Sequence, residues 1–346
     1  MKFFIPGGAG YIGTHISYML LDNNHDVIIL DNFSNSNISS IHAIEKLANT
    51  KVTFYEGDIC DAKILSNIFE SHEIDAVIHL ASHKSVSESI LKPNEYYQNN
   101  VEGTISLLAA MKSFDIKNLI FSSSATVYGI PEYLPIDENH PLSCTNPYAE
   151  TKLEIEKILK EITIDEKEWS IVSLRYFNPV GAHESGYLGE SPRDIPNNLM
   201  PYLVNVANKE LPYLNIYGNN YDTYDGTGVR DYIHIMDLAE SHLIAMNFIG
   251  IQTIKNKLSY SPNSNNGFNV FNVGTGKGCS VLELVKIFEE VNGIKVPYKF
   301  APRRLGDVAS CFANVDKSQE VFQWIAERSV EEMCVSAWNH KKISRA

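Results

Sequence analysis

Tyr148 and Lys152 stand four residues apart in "NPYAETKLEIEK", a spacing that makes two side chains neighbours on one helix face. A phenol, with its ordinary pKa of about 10, is a poor base at neutral pH, and an ammonium beside it favours the phenolate. Such a pair could move a proton. Taken alone, it is more readily ordinary decoration of a helix surface. A second group of residues, "GGAGYIG", sets Gly7, Gly10 and Gly13 where a strand gives way to a helix. Glycine lets the backbone turn tightly and approach a pyrophosphate, while the N–H groups of the first helical turn point at the anion.

The strand after that helix ends in Asp31, eighteen residues past Gly13 and close to the ~20 at which a carboxylate accepts from adenosine ribose hydroxyls. Asp31 would repel an extra 2′-phosphate, and "DNFSNSN" supplies no arginine to offset it, so the spacing predicts NAD rather than NADP. Asp58, at the end of the next strand, either accepts from the adenine amino group or caps the helix that follows.

Elements of a particular order must position these residues. Short apolar runs alternate with helical patterns: "KFFI", a helix from about Tyr11, "DVIIL", a helix near Ile38 to Ala48, "KVTFYE", a helix after Asp61, and "AVIHLA". A long helix after Pro93, "KNLIFSSS", the helix carrying Tyr148 and "WSIVSLRYF" continue the cadence. This is the βαβ pattern of an α/β protein with a Rossmann-type doubly wound parallel sheet, because parallel strands need crossover connections and the crossovers cover both faces. Beyond Asn178 the cadence loosens. Pro179, Pro192, Pro196, Pro201 and Pro212 punctuate the chain, and Tyr217 to Gly228 and Ser259 to Gly267 have the composition of loops. The expected organisation is residues 1–178 as the cofactor-binding domain and 179–346 as a smaller C-terminal α/β region, mainly substrate-binding and interwoven with the first.

The 346 residues carry a net charge of −13, which repels nucleic-acid backbones and anionic membranes. Five cysteines, odd in number and widely spaced, read as free thiols of a reducing compartment. The start "MKFFIPGGAG" is too short for a signal-peptide core and no apolar run reaches spanning length, so a cytoplasmic protein is expected. His79 and His83 sit at a strand end without a third ligand, and no metal is expected.

The turn "GGAGYIG" together with "FSSSATVYG" and "NPYAETK" resembles the extended short-chain dehydrogenase/reductase superfamily. In that superfamily a serine after the fifth strand joins the tyrosine and lysine, which implies Ser124, Tyr148 and Lys152 as the catalytic set. Tyr148 would exchange the hydroxyl proton, with its pKa lowered toward the working range by Lys152 and a positive nicotinamide ring, and Ser124 would hydrogen-bond the reacting oxygen. "SIVSLRYFNPVGAH", "IPNNLMPYL", "DGTGVRDYIH" and "APRRLGD" narrow the resemblance to the UDP-glucose 4-epimerase family over essentially the whole chain. Dehydratases and decarboxylases of nucleotide sugars place carboxylates just after the catalytic serine or threonine, whereas Ala125 and Thr126 stand there.

The resemblance implies that carbon 4 of a UDP-sugar is oxidised to a ketone and reduced from its other face, with NAD regenerated each turnover. It implies cofactor contacts from Gly7, Gly10, Tyr11, Ile12, Gly13, Asp31, Asn32, Asn35, Ser36, Asp58, Ile59, Leu80, Ala81, Lys84, Asn99, Ser122, Tyr148, Lys152 and Phe177. On the UDP-sugar it implies Lys84, Ser124, Tyr148, Asn178, Asn198, Leu199, Asn215, Ile216, Tyr217, Arg230, Arg304, Asp307 and Cys311. Arg230 and Arg304 suit a diphosphate because a guanidinium is planar and always charged. Cys311, four beyond Asp307, stands where some members carry tyrosine, and a small side chain there leaves room for an N-acetyl group on the sugar. A homodimer through the helix after Pro93 and the helix of Tyr148 is implied, the latter from surplus apolar residues Leu153, Ile155, Ile158, Leu159 and Ile162. Pro6 departs from the family's threonine and removes a backbone donor at the strand end. An epimerase of another nucleotide sugar, such as a UDP-uronic acid, and a non-catalytic NAD-sensing protein are the alternatives.

Overall fold

A computed structural model describes residues 1–192, 196, 198–254, 265–304 and 306–344. The Ser259 to Gly267 loop therefore lies mostly outside the described residues, as do Asn197 and Leu305 of the quoted motifs. The short β-branched runs form β1 (Lys2–Pro6), β2 (Asp26–Asp31), β3 (Thr53–Glu56), β4 (Ala76–His79), β5 (Asn118–Ser124) and β6 (Ser170–Tyr176). With a late strand, Gly267–Val273, they make a seven-stranded parallel sheet ordered Gly267–Val273, β6, β5, β4, β1, β2, β3. Pro6 is the last residue of the central strand β1, where its carbonyl still accepts from Leu80 N at 3.0 Å and Gly7 N resumes the ladder to Leu30 O at 2.8 Å.

Alternation along the strands sends side chains into two cores, one on each face of the sheet. Phe3 and Ile5 face a cluster with Ile16 and Leu20 of α1 (Tyr11–Asp22) and Ile41 and Ile44 of α2 (Ile38–Ala48). Phe4 faces the other, with Leu65 of α3 (Ala62–Ser71), and with residues of three elements described next. After β4 come α4 (Val86–Leu91), α5 (Pro93–Tyr97), α6 (Gly103–Ser113) and, beyond β5, α7 (Pro147–Asp165). On α7, Ile155 and Leu159 are fully inside this core, Ile158 and Ile162 pack against it, and Leu153 packs on a small cluster with Val127, Tyr128 and Ile136. Of the apolar residues expected to be in surplus on α7, Ile155 and Leu159 are taken up by the protein's own core and Leu153, Ile158 and Ile162 are half-buried against it. Exposed apolar side chains stand at Ile164 near the end of α7 and on α4, α5 and α6 at Ile90, Leu91, Tyr97 and Ile105, with Leu91 at 81% exposure.

Beyond Asn178 the chain builds β7 (Asn178–Val180), α8 (Leu199–Ala207), β8 (Leu214–Tyr217), β9 (Val229–Arg230), β10 (Tyr232–His234), α9 (Ile235–Phe248) and β11 (Gly267–Val273). β12 (Cys279–Ser280), α10 (Val281–Asn292), β13 (Tyr298–Ala301), β14 (Ser310–Cys311), α11 (Asp316–Phe322) and α12 (Val330–Ile343) follow. Residues of α8, α10 and α12 share a third core, with Leu203, Leu284, Phe288 and Met333 buried. By contrast α9 and β11 return to the first unit, with Leu238, Leu243 and Phe271 in the core of α1. Among the described residues no helix is long and apolar enough to cross a membrane.

The long helix expected after Pro93 is broken. A π turn at Gln98–Glu102 separates α5 from α6, the kind of local rewinding that re-aims a side chain. It buries Asn100, whose Oδ1 accepts from His83 N at 2.8 Å and whose Nδ2 donates to His83 O at 3.1 Å and Thr151 Oγ1 at 3.0 Å. One amide thereby ties the loop after β4 to α7. Asn100→Ala strands the His83 amide and carbonyl, and a loss of about 1–3 kcal/mol is expected from the unpaired polar groups alone. Denaturant unfolding reads it; a midpoint unchanged from the parent would show that the amide holds nothing.

Candidate functional site

All seven strands of the sheet run the same way, so their C-terminal ends share one edge, where ligands of open parallel sheets bind. There the β1–α1 turn folds tightly. Gly7 has φ +81°, and a Cβ on it would lie 2.5 Å from Ala81 N, while a Cβ on Gly13 would lie 2.6 Å from Gly7 O. A side chain on Gly13 would push α1 off the turn, and one on Gly7 would strike the backbone of Leu80 and Ala81 after β4. Gly10 caps α1 without a side chain, and the first turn holds no acidic residue, so its N–H groups remain available to an anion. Asp31 accepts from Ala9 N at 3.0 Å, Phe33 N at 3.0 Å and Ser36 Oγ at 2.8 Å, and lone-pair capacity is left over. These residues fit a dinucleotide.

Asp58 does not cap the next helix: Asp61 does, accepting from Lys63 N at 2.9 Å. Asp58 instead accepts from Asn32 Nδ2 and Cys60 N, both at 2.8 Å, which joins the two loops beside Asp31. Asn35 lies exposed in the same stretch. Ile59 turns into the core, so only its backbone could meet a ligand, and Phe177 is buried among Ala125, Val127 and Ala313. Tyr11 spans the two units, donating to Gly181 O at 2.7 Å. Asn99 donates to Asn100 Oδ1 at 2.9 Å, and Leu80 and Ala81 line the turn beside Gly7.

Ser124, Tyr148 and Lys152 converge at this edge. Ser124 ends β5 and receives Thr126 N at 3.2 Å and Thr126 Oγ1 at 2.9 Å. α7 is started by Asn146, which accepts from Ala149 N at 2.9 Å, with Pro147 in its first turn. Tyr148 and Lys152 then fall on the buried stripe. Burial pushes the Tyr148 phenol up to about 12, with a hydrogen bond from Ser124 working the other way. The expected lowering of this pKa by Lys152 is not found in the protein alone. The reason is placement: the Lys152 ammonium lies 5.9 Å from the Tyr148 ring centroid and donates to Ser122 O at 2.7 Å. Burial in turn pushes Lys152 down to about 7, opposed by the charge of Glu156.

The smaller unit faces this edge with its own polar set. Arg230 on β9 lies 3.9 Å from Asp307, whose carboxylate also takes Arg304 Nε at 3.3 Å. The Arg304 guanidinium stacks 4.4 Å from the ring centre of Tyr217. Asn215 and Tyr217 point away from the core, while Ile216 between them is buried in it, so its backbone alone is offered. Cys311 on β14 is in register with Arg230, and burial pushes its thiol up to about 11, leaving it small and neutral. Lys84 pairs with Glu190 at 3.3 Å, and Asn198, the residue before Leu199 and α8, donates to the same oxygen at 2.9 Å.

Three organising residues escaped the sequence reading: Asn100, Glu190 and Asp231. Asp231 is fully buried and accepts from Thr275 N, Thr275 Oγ1, Gly276 N and Ala313 N at 2.6–3.2 Å. Its backbone N donates to Cys311 O at 3.2 Å and its carbonyl accepts from Asn178 N at 2.9 Å, placing both candidate residues at once. An aspartate directly after Arg230 in "DGTGVRDYIH" was the available signal.

Known proteins resemble this chain in sequence and fold. The family model described as GDP-mannose 4,6 dehydratase matches residues 4–337. UDP-glucose 4-epimerase of Bacillus subtilis (strain 168) is 47% identical over 338 residues, 98% of this chain and 96% of that protein. The crystal structure of UDP-glucose 4-epimerase from Bifidobacterium longum in complex with NAD+ and UDP is 44% identical, with TM-score 0.93 over 100% of this chain and 99% of that one. That of the UDP-Glc/GlcNAc 4-epimerase from Campylobacter jejuni is 33% identical, with TM-score 0.82 over 99% of both chains. With sequence likeness and fold agreeing along its length, the chain belongs to the UDP-glucose 4-epimerase family.

Proposed function

We propose that the protein interconverts UDP-glucose and UDP-galactose at carbon 4, using NAD held at the α1 turn. The observation that carries this reading is the convergence of Ser124, Tyr148 and Lys152 at the sheet edge that also carries that turn, with Ala125 and Thr126 rather than carboxylates following Ser124. This is a redox set without a second acid–base pair, which suffices for a reaction that oxidises and then reduces one carbon. NAD would supply a hydride acceptor that returns the hydride, and a cationic ring that favours the Tyr148 phenolate. Gly7, Gly10 and Gly13 with the first turn of α1 would take the pyrophosphate, and Asp31 the adenosine ribose. Tyr148 takes the proton of the sugar 4-hydroxyl and gives it back to the same oxygen when the ketone, turned over, is reduced at its opposite face. Ser124 hydrogen-bonds the reacting oxygen, and Lys152 supplies positive charge beneath the phenol. Arg230 and Arg304 grip the diphosphate, so that remote binding energy retains the ketone while the sugar turns.

Cys311 extends the reading to N-acetylated sugars. Its thiol occupies far less space than a phenol, next to the Arg230–Asp307 pair that would fix the nucleotide, and steric exclusion is a common basis of specificity. A homodimer is proposed through the exposed apolar residues Ile90, Leu91 and Tyr97, which lie on α4 and α5 against α7, and Ile105 on α6 beyond the π turn.

Incubation with UDP-galactose and no added NAD is expected to yield UDP-glucose by chromatography; no conversion even with NAD supplied overturns the assignment. Tyr148→Phe should fold, keep its NAD and lose at least about a hundredfold in kcat, and near-parental kcat would remove Tyr148 as the base. The parent should also interconvert UDP-N-acetylglucosamine and UDP-N-acetylgalactosamine, and Cys311→Tyr should suppress that pair selectively. Equal losses on both pairs would show that Cys311 is not the gate. Light scattering at micromolar concentration should give twice the mass of one chain, and a monomer mass would count against the apolar face as an interface.

A further inference from the structure

Lys152 is 3% exposed, and a charge so placed needs support that its neighbours must supply. Its ammonium donates to Ser122 O at 2.7 Å and lies 4.9 Å from the Phe121 ring centre. Neither partner carries a charge. His79 of β4 and Tyr148 and Glu156 of α7 itself are its neighbours, and Tyr176 and Arg175 of β6 and Tyr128 of the turn after β5 belong to the elements packed against α7. His79 is pushed down to about 3 by burial and by Lys152, so it is neutral. Burial raises Tyr148, Tyr176 and Tyr128, keeping them phenols. Glu156 is the one carboxylate acting on Lys152 among the described residues.

Glu156 is itself 3% exposed and held rigidly. Its Oε1 accepts from Ser173 Oγ at 2.9 Å and Arg175 Nε at 3.0 Å, and its Oε2 from Arg175 Nη2 at 2.6 Å. Arg175 continues to Tyr128 OH at 3.0 Å, and Tyr128 to Asn272 Oδ1 at 2.7 Å. Tyr148, Lys152 and Glu156 follow one another at intervals of four, forming one stripe along α7. We propose that Glu156 is a positioning residue whose carboxylate, fixed by Arg175 and Ser173, supplies the negative charge that keeps the buried Lys152 ammonium charged beneath Tyr148. This deepens the epimerase reading and rests on it.

The sign follows from the protonation of Lys152. It is charged below its pKa, so loss of Glu156 moves that pKa further down and the alkaline limb of the kcat profile moves toward acid. Glu156→Gln keeps the shape and removes the charge, and the limb should move by about one pH unit or more, roughly a tenfold loss above the parental limb with recovery at lower pH. Arg175 is left unpaired in that variant, and a buried unpaired charge destabilises. Glu156→Gln/Arg175→Met removes both charges, should fold, and should still show the displaced limb.

A second measurement needs no turnover. Lys152, depressed in the folded state and normal when unfolded, costs stability below its folded pKa, and that cost is relieved as pH rises toward its unfolded value. The resulting rise in melting temperature should begin at lower pH in the double variant than in the parent, and should vanish when Lys152→Met is added to either. A uniformly lower profile with the limb in place, or a rise in melting temperature beginning at the parental pH, overturns the role given to Glu156. Failure of the parent itself to convert UDP-galactose would instead overturn the epimerase reading, and the melting series would still decide whether Glu156 charges Lys152.

Discussion

The hydrogen bond from the Lys152 ammonium to Ser122 O is the contact on which the rest of the site depends. It places a charge between α7 and the end of β5 where water cannot solvate it, and transfer of such a charge is costly unless it is paired and hydrogen-bonded. α7 must therefore lie close against the sheet. That closeness comes from Ile155 and Leu159, which enter the core with Trp169, Ile171 and Phe121. The same helix carries an apolar stripe that docks it and a polar stripe that works. The Glu156–Arg175 ion pair closes the polar stripe at its far end, with both side chains about 95% out of water.

Position along the helix axis is then set from the other side. Asn100, turned inward by the π segment, bonds Thr151 on α7 and both backbone groups of His83. His79 Nε2 contacts Thr104 Oγ1 at 2.8 Å, and Thr104 bonds back to Asn100 O. A regular helix after Pro93 would point Asn100 elsewhere, because one added residue per turn rotates every later side chain. The irregularity thus couples the loop bearing Lys84 to the helix bearing Tyr148 and Lys152.

The smaller unit is joined to the sheet by apolar clusters, with Ala313 among Ala125, Val127 and Ile136 and with Leu188 and Ile233 in the core of α1, and by polar contacts. Tyr11 reaches Gly181, Lys84 and Asn198 share Glu190, and Asn178 bonds through its backbone to Asp231. Asp231 collects four donors from two separate loops, and burial still raises its pKa. A carboxylate so satisfied fixes β9 and β14, hence Arg230 and Cys311, at a cost in desolvation that its hydrogen bonds offset.

Local chemistry was legible in the sequence. Periodicity and turn residues determined the order of the strands and helices from Lys2 to Ala48 and where each begins, because those elements are strongly patterned and bracketed by Gly, Asn and Asp. The glycine turn and Asp31, and Tyr148 with Lys152, are separated by fixed offsets within one βα or α unit, and offsets survive without tertiary knowledge. What needed the tertiary structure were the properties set by neighbours distant in sequence. Whether Leu153, Ile158 and Ile162 face solvent or a core depends on which strands lie beneath them. The helix after Pro93 was taken as regular because a π turn has no strong local signature, and its energy comes from Asn100 contacts 17 and 51 residues away. The same holds for the titration of Tyr148 and Lys152: the sequence determined that a phenol and an ammonium share one helix face, and only the packed sheet decided that burial outweighs their mutual attraction.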